Sequence, residues 1–263
     1  MRKQYDLMVI DDERVVLDAV KRICVAEDYT VDTNLEVDSA FNKIKKNEYR
    51  LILCDLMLPE IDGFKFLELL NEKGINIPVI MTTGFSTMEN AVKSLNKGAI
   101  DFIPKPFTAD ELCSVINRGL KYVEIKNSEK DNGQEDIYFV HCPPQYYRFG
   151  YSTWICKDRS GVVLLGTTDL FLKTVQSVKS VELLNLQEEV IQGLYCATLI
   201  SDDEIHHPVL APLSGRIIDH NSQITFQSSL LEKDPYFDGW LYRIIPSDLE
   251  YEMKNLVSCR MKL

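Results

Sequence analysis

Leu51-Ile52-Leu53-Cys54-Asp55-Leu56-Met57-Leu58-Pro59-Glu60-Ile61-Asp62-Gly63-Phe64 decides the architecture of the first half of the chain. Four apolar residues run without interruption and stop at a carboxylate. Pro59 and Gly63 then turn the chain, and Phe64, Phe66, Leu67 and Leu70 recur at helical spacing. A short, wholly apolar strand followed by an amphipathic helix is the grammar of a parallel sheet buried on both faces. The unit repeats on either side. Leu7–Ile10 ends at Asp11 and Asp12 and is followed by Val15, Val16, Ala19, Val20 and Ile23. Tyr29–Val31 reads as a second strand, with Phe41 and Ile44 marking the next helix. Pro78–Met81 and Ile100–Ile103 are the fourth and fifth strands, the last closed by Pro104-Lys105-Pro106. A final helix starts near Thr108, an N-cap with Glu111 three residues on, and runs through Leu112, Val115, Ile116, Leu120 and Val123. Five strands alternating with five helices predict an α/β domain with a doubly wound, five-stranded parallel sheet.

In such a sheet, functional groups collect at the carboxyl ends of the strands. Asp11 and Asp12 end the first strand, Asp55 the third, Thr82 and Thr83 the fourth, and Lys105 follows the fifth. Alone, an Asp-Asp pair also suits the cap of the following helix. Three carboxylates brought together repel and raise one another's pKa unless a cation joins them. Oxygen-only ligation at an exposed edge suits Mg²⁺, which keeps some waters and accepts a phosphoryl oxygen. A lysine ammonium and a threonine hydroxyl would complete a site for a phosphoryl group on a carboxylate.

The chain as a whole has 263 residues, enough for two domains. Its net charge of −11 argues against a nucleic-acid surface, which needs Lys and Arg to replace phosphate counterions. No apolar run approaches the ~20 residues that span a bilayer. The apolar stretch after Arg2 and Lys3 stops at Asp11 after a few residues, so it reads as a buried strand and not as a secretory signal. Seven cysteines at irregular spacing, with no CxxC pair, suggest neither a zinc site nor a disulfide framework. They read as reduced thiols of a cytoplasmic protein.

Four segments of the first half resemble the receiver domain of two-component response regulators: Ile10-Asp11-Asp12-Glu13, Asp55 to Phe64, Ile80-Met81-Thr82-Thr83-Gly84, and Asp101-Phe102-Ile103-Pro104-Lys105-Pro106-Phe107. The resemblance spans about residues 4–124 and implies a flavodoxin-like fold. It implies that Asp55 is the phosphoacceptor. It also implies that Asp11, Asp12, Asp55 and the Met57 main-chain carbonyl hold Mg²⁺. By the same resemblance Thr83 is the switch hydroxyl, with Thr82 its neighbour, Phe102 the aromatic that changes rotamer, and Lys105 the phosphoryl-binding lysine. The phosphodonor would be a histidine kinase or a phosphotransfer protein. Such a chain is a phosphoaccepting signalling protein and not an enzyme in its own right. Receivers often dimerise through the face that carries the switch aromatic, which leaves a phosphorylation-dependent dimer open.

Glu124 to Asp136 has a single apolar residue and no period, and reads as a linker or a frayed helix end. The expected division is a receiver over 1–124, a linker over 125–136 and a second domain over 137–263. Aromatics cluster after Ile137: Tyr138, Phe139, Tyr146, Tyr147, Phe149, Tyr151 and Trp154. Short strand-like runs follow at Thr153–Cys156, Gly161–Gly166, Val178–Leu183, Tyr195–Ile200, His207–Leu210 and Gly215–Asp219. They predict an antiparallel sandwich or barrel. Thr168–Val175 and Pro246–Leu256 look helical. No basic recognition helix, Walker loop or catalytic motif is present. His206 and His207 would point to opposite faces of a strand, and a solvated loop suits them better than a shared metal.

Three segments of this half are similar to the glycine-cleavage H protein: Gly150 to Asp169, Ala211-Pro212-Leu213-Ser214-Gly215-Arg216-Ile217-Ile218, and Asp234 to Leu249. The resemblance covers about residues 146–256 and implies a mainly-β barrel-sandwich hybrid, or hammerhead, with a few helices. That family carries lipoate on a hairpin-tip lysine seven residues before the Ala-Pro pair. Counting back from Ala211 gives Glu204, and no lysine lies between Lys179 and Lys233. A carboxylate cannot form the amide with lipoic acid, so no lipoate is expected. Asp202-Asp203-Glu204 reads as a solvated acidic turn or as a recognition tip. The two resemblances together imply a phosphorylation-controlled adaptor with an unidentified protein target. The alternative is a phospho-regulated acyl or lipoyl carrier attached elsewhere. Neither nucleic acid nor membrane is expected as a partner.

Overall fold

The structure, a computed structural model, describes residues 2–84, 88–128 and 139–260. The chain forms two compact units. One comprises Met1–Ser86 with Lys97–Glu124, the other Thr87–Asn96 with Ile125–Leu263. The first half runs β1 (Gln4–Ile10), α1 (Arg14–Ala26), β2 (Val31–Asn34), α2 (Val37–Ile44), β3 (Glu48–Asp55), α3 (Gly63–Glu72), β4 (Val79–Thr83), α4 (Met88–Asn96), β5 (Asp101–Pro104) and α5 (Ala109–Ser128). The five strands are parallel in the order β2-β1-β3-β4-β5.

Alternation along the strands sorts their side chains onto two faces. Leu7 and Val9 of β1, Leu51 and Leu53 of β3, Ile80 of β4 and Ile103 of β5 form one buried row. Leu17, Val20 and Cys24 of α1 and Leu112, Val115, Ile116 and Leu120 of α5 pack over it. The start of β5 is tied to α5 by a buried ion pair. Arg118 Nη2 lies 2.8 Å from Asp101 Oδ2 and Nη1 2.8 Å from Ser114 Oγ, while the Phe102 N–H donates to Asp101 Oδ1 at 2.8 Å. The Thr108–Glu111 capping box is formed: the Thr108 N–H donates to Glu111 Oε2 at 2.7 Å and the Glu111 N–H to Thr108 Oγ1 at 3.2 Å.

The second strand lies later than Tyr29–Val31. Asp28 is in the left-handed region (φ 63°), and the Tyr29 N–H returns to Cys24 O at 3.0 Å, closing α1. The ladder to β1 therefore starts at Val31, opposite Leu7. Residues 125–128 extend α5 into the segment read as a linker or a frayed helix end; residues 129–136, Ile137 and Tyr138 lie outside the described residues.

The remaining elements are β6 (Tyr147–Phe149), β7 (Thr153–Lys157), β8 (Val163–Thr167), α6 (Asp169–Val175), β9 (Val178–Leu183), β10 (Glu189–Val190), β11 (Tyr195–Ser201), β12 (His206–Leu210) and β13 (Gly215–His220). Then come α7 (Ser222–Phe226), α8 (Ser229–Lys233), β14 (Trp240–Pro246), α9 (Leu249–Glu252) and β15 (Val257–Ser258). They build a seven-stranded sheet, β10-β13-β14-β8-β7-β6-β15, and a three-stranded one, β12-β11-β9, both antiparallel. Trp154 is fully buried and its Nε1 donates to Thr167 O at 2.8 Å and Pro235 O at 3.1 Å. Gly166 lies under the indole: a Cβ there would stand 2.6 Å from Trp154 Cζ2. Tyr242, also fully buried, ties the two sheets together by donating to Cys196 O at 2.7 Å.

The helix expected over Pro246–Leu256 is shorter. Pro246 ends β14, paired with Gly215, and only Leu249–Glu252 and a 3-10 turn at Met253–Asn255 are helical. His206 and His207 are in β12 and not in a loop. His207 is buried, with Nε2 3.0 Å from Ser201 Oγ, because the Ile200–His206 pairing turns it inward beside Leu199.

Candidate functional site

The carboxyl edge of the parallel sheet assembles the polar set that the strand ends predict. Asp55 is the last residue of β3 and is 4% exposed; Asp11 follows β1 and is 2% exposed. Asp11, Asp12 and Asp55 each offer a carboxylate oxygen within 4.8 Å of the others, with Asp12 exposed. Lys105 Nζ lies 2.6 Å from Asp11 Oδ2 and 3.3 Å from Asp55 Oδ1. The Leu56 N–H donates to Asp55 Oδ1 at 2.9 Å and the Glu13 N–H to Asp11 Oδ1 at 3.0 Å. Asp11 therefore does turn the chain into α1, but its second oxygen serves Lys105. Glu13 at the N-cap makes no side-chain cap.

Close approach of α3 shapes the edge. Asp62 caps that helix by accepting from the Lys65 N–H at 2.7 Å, and the Gly63 N–H donates to Leu56 O at 2.9 Å. A Cβ at Gly63 would stand 2.7 Å from Asp55 O, so only glycine lets α3 begin this close to Asp55.

Burial pushes the Asp55 carboxyl above its usual range; Lys105 pulls it down and Asp11 pushes it up again. Burial depresses the Lys105 ammonium, but the hydrogen bond to Asp11 and both carboxylate charges outweigh it, and its pKa is raised. The site is thus a lysine held as a cation between buried carboxylates that repel each other. Three converging carboxylates with one open, exposed member fit a small hard cation such as Mg²⁺.

Strand register sets the two threonines apart. Asp55 pairs with Thr82 and Thr82 with Ile103, so Asp55, Thr82 and Lys105 continue the α1/α5 face of the sheet. Thr83 falls on the opposite face, with Met81 and its register partner Phe102. The threonine paired directly with Asp55 in the β3–β4 ladder is Thr82. Its Oγ1 is buried and has no hydrogen-bond partner. Thr83 is fully buried, and Phe102 is buried beside it in β5. The Met57 side chain is exposed, in the turn after Asp55.

The second unit places Glu204 at the tip of the β11–β12 hairpin, in the left-handed region (φ 64°). Sequence order hides its neighbour. Lys179, from β9, brings its ammonium onto the Glu204 carboxylate, and the two side chains are 50% and 67% exposed. The hydrogen bond to Glu204, then its charge, raises the Lys179 pKa. Asp203 accepts from Ser201 Oγ, which holds its carboxyl below the usual range. The acidic turn is therefore solvated but internally paired.

Among known proteins, residues 7–117 match the family described as the response regulator receiver domain, and residues 145–261 match the glycine cleavage H-protein. Curated relatives include the nitrogen assimilation regulatory protein NtrX of Azorhizobium caulinodans, 30% identical over 48% of this chain and 28% of its own. Another is the transcriptional regulatory protein DltR of Streptococcus agalactiae, 36% identical over 42% of this chain and 49% of its own. The chain thus spans half or less of the length of these relatives. Similar solved structures include a CheY-like receiver domain protein from Methanospirillum hungatei (31% identity, 48% of this chain, 99% of that one, TM-score 0.43). They also include a glycine cleavage system H protein from Mycobacterium marinum (22% identity, 43% of this chain, 97% of that one, TM-score 0.38). No described helix is long and apolar enough to cross a membrane. Residues 7–117 are a response regulator receiver domain, and residues 145–261 a glycine cleavage H-protein domain.

Proposed function

We propose that this chain is a cytoplasmic two-component response regulator in which Asp55 accepts a phosphoryl group and the H-protein domain is a protein-interaction output. The domain division proposed from the sequence is a receiver over 1–124 and an output domain after a connecting segment over 125–136. One observation carries the reading: Asp55 is buried between Lys105 and Asp11, with the unpartnered hydroxyl of Thr82 on the same face.

In the proposed reaction a carboxylate oxygen of Asp55 attacks the phosphorus of a phosphohistidine on a kinase or phosphotransfer protein. The P–N bond breaks, its electron pair leaves with the imidazole, and an acyl phosphate forms. Lys105 neutralises a phosphoryl oxygen, and Thr83 donates its hydroxyl proton to another. Burial, which makes the Asp55 charge costly, is relieved once the charge moves out onto the phosphoryl group. Asp11, Asp12, Asp55 and the Met57 carbonyl would hold Mg²⁺, which supplies charge neutralisation when bound. Drawing Thr83 toward Asp55 shifts β4 against β5, where Phe102 reports the change. Supporting an output that carries no lipoate, Glu204 stands at the hairpin tip where the family has its modified lysine.

The test is labelling of the full chain with acetyl phosphate and Mg²⁺, read by intact mass. The expected result is a gain of one phosphoryl group in the wild type and none in Asp55→Ala. Undiminished labelling of Asp55→Ala would overturn the assignment. A second reading, a carrier modified elsewhere, has one observation in its favour: the exposed Lys179 ammonium at the hairpin tip. Intact mass of protein from its own host decides it. A lipoyl or acyl adduct on Lys179 supports the carrier, and an unmodified chain supports the adaptor.

A further inference from the structure

The thiols of the second unit are not scattered. Cys142, Cys156 and Cys259 all pack on one aromatic cluster, Tyr146, Trp154 and Tyr236, and all three are half-buried. By contrast Cys24, Cys54 and Cys196 are buried in the two cores. Two chain features bring Cys142 and Cys259 together. After Cys142 the chain turns, and the Tyr146 N–H returns to Pro143 O at 2.9 Å. At the other end β15 pairs with β6, Ser258 opposite Tyr147, and the Cys259 N–H donates to Tyr146 O at 3.0 Å. Cys259 thus stands alongside Tyr146, and the turn lays Cys142 against it. Interaction between the two side chains is the first cause of the shifted titration of both.

We infer that Cys142 and Cys259 are a reversible dithiol–disulfide pair, oxidised by hydroperoxides, that clasps the terminal strand β15 onto β6. The pair has an asymmetry that assigns the roles. The hydrogen bond from Cys142, and after it the charge of Arg148, lower the pKa of Cys259 against its burial. The same hydrogen bond, and then burial, raise that of Cys142. Cys259 is the attacking thiolate and Cys142 the resolving thiol.

The steps balance. The Cys259 thiolate attacks one oxygen of the hydroperoxide and becomes a sulfenic acid; the O–O bond breaks, and the departing oxygen takes a proton and leaves as alcohol or water. The Cys142 sulfur, losing its proton, then attacks the sulfenic sulfur and displaces hydroxide, which leaves as water. Two thiols lose two electrons and two protons, and the peroxide bond is reduced. The clasp closes on an edge strand only two residues long.

The test uses the full chain, treated with stoichiometric hydrogen peroxide. Free thiols are titrated under denaturing conditions, and the crosslink is mapped by non-reducing peptide mass spectrometry. The expected result is a loss of two titratable thiols from the seven, a Cys142–Cys259 linked peptide, and full recovery with dithiothreitol. Cys156→Ser is expected to leave the linked peptide unchanged, whereas Cys259→Ser abolishes it. A disulfide mapped to Cys156, or sulfinic acids formed without any linkage in the wild type, would overturn the inference whatever the variants do.

Discussion

Thr82 stands directly across from Asp55 in the β3–β4 ladder, and its hydroxyl is buried without a hydrogen-bond partner. A buried hydroxyl left unpaired destabilises the fold, and an isosteric methyl in its place is near neutral or stabilising. Thr82→Val is therefore expected to unfold within about 1 kcal/mol of the wild type, or later. The same variant should keep its response to beryllofluoride with Mg²⁺, which stands in for the phosphoryl group on Asp55. Thr83→Val, which removes the proposed switch hydroxyl, should lose much of that response. Thermal shift with and without beryllofluoride separates the two; an equal response in Thr83→Val would remove that hydroxyl from the switch.

Asp55 itself should be a stability cost. Its folded pKa is raised above the unfolded value, chiefly by burial, so its favourable contribution is present at low pH and is lost as pH rises through the folded pKa. At neutral pH the charged form destabilises the metal-free protein. Asp55→Asn should then be more stable than the wild type at pH 7. The advantage should shrink as pH falls into the carboxylate range. Urea denaturation in EDTA across that range checks the sign.

Divalent cation should reverse that balance. Binding to Asp11, Asp12 and Asp55 in the folded state alone stabilises by about 2.7 kcal/mol at a hundredfold excess over Kd. Asp12 is the exposed member of the set, so Asp12→Ala should fold normally but lose most of the Mg²⁺-induced rise in Tm. Calorimetry with Mg²⁺ and EDTA measures both. A full Mg²⁺ response in Asp12→Ala would exclude it as a ligand.

Arg118 and Asp101 are a buried pair, 3% and 11% exposed. Removing one partner strands the other charge, at a cost of about 3–5 kcal/mol. Arg118→Ala should lower the stability of the receiver unit by that order, measured by urea denaturation. Because Asp101 also accepts from the Phe102 N–H, the ring environment of Phe102 should change in the same variant, visible by NMR.

Much of the receiver was legible before any coordinates. Apolar runs that stop at Asp11, Asp55 and Lys105 mark strand ends, and parallel topology puts strand ends at one edge. The second strand was misplaced because Tyr29 and Val31 look like strand residues. Asp28 takes a left-handed φ and spends Tyr29 on closing α1, which composition does not reveal. In the second unit, β14 was read only as part of a closing segment, since Trp240 to Pro246 mixes apolar and charged residues without strict alternation. The two-residue strands β10 and β15 carry no periodicity at all.

Residue identity and order by themselves determined the five-stranded parallel sheet, its acidic edge, and the absence of a lysine at the β11–β12 tip. Those follow from local patterning: where an apolar run stops, what stops it, and which side-chain chemistry a position offers. Tertiary structure decided that Thr82 pairs with Asp55, that Lys179 meets Glu204, and that Cys142 and Cys259 pack on one aromatic cluster. Each of these rests on register or on pairing between distant segments. A one-residue step along a strand reverses the face, and a contact between strands far apart in the chain leaves no periodic trace in sequence.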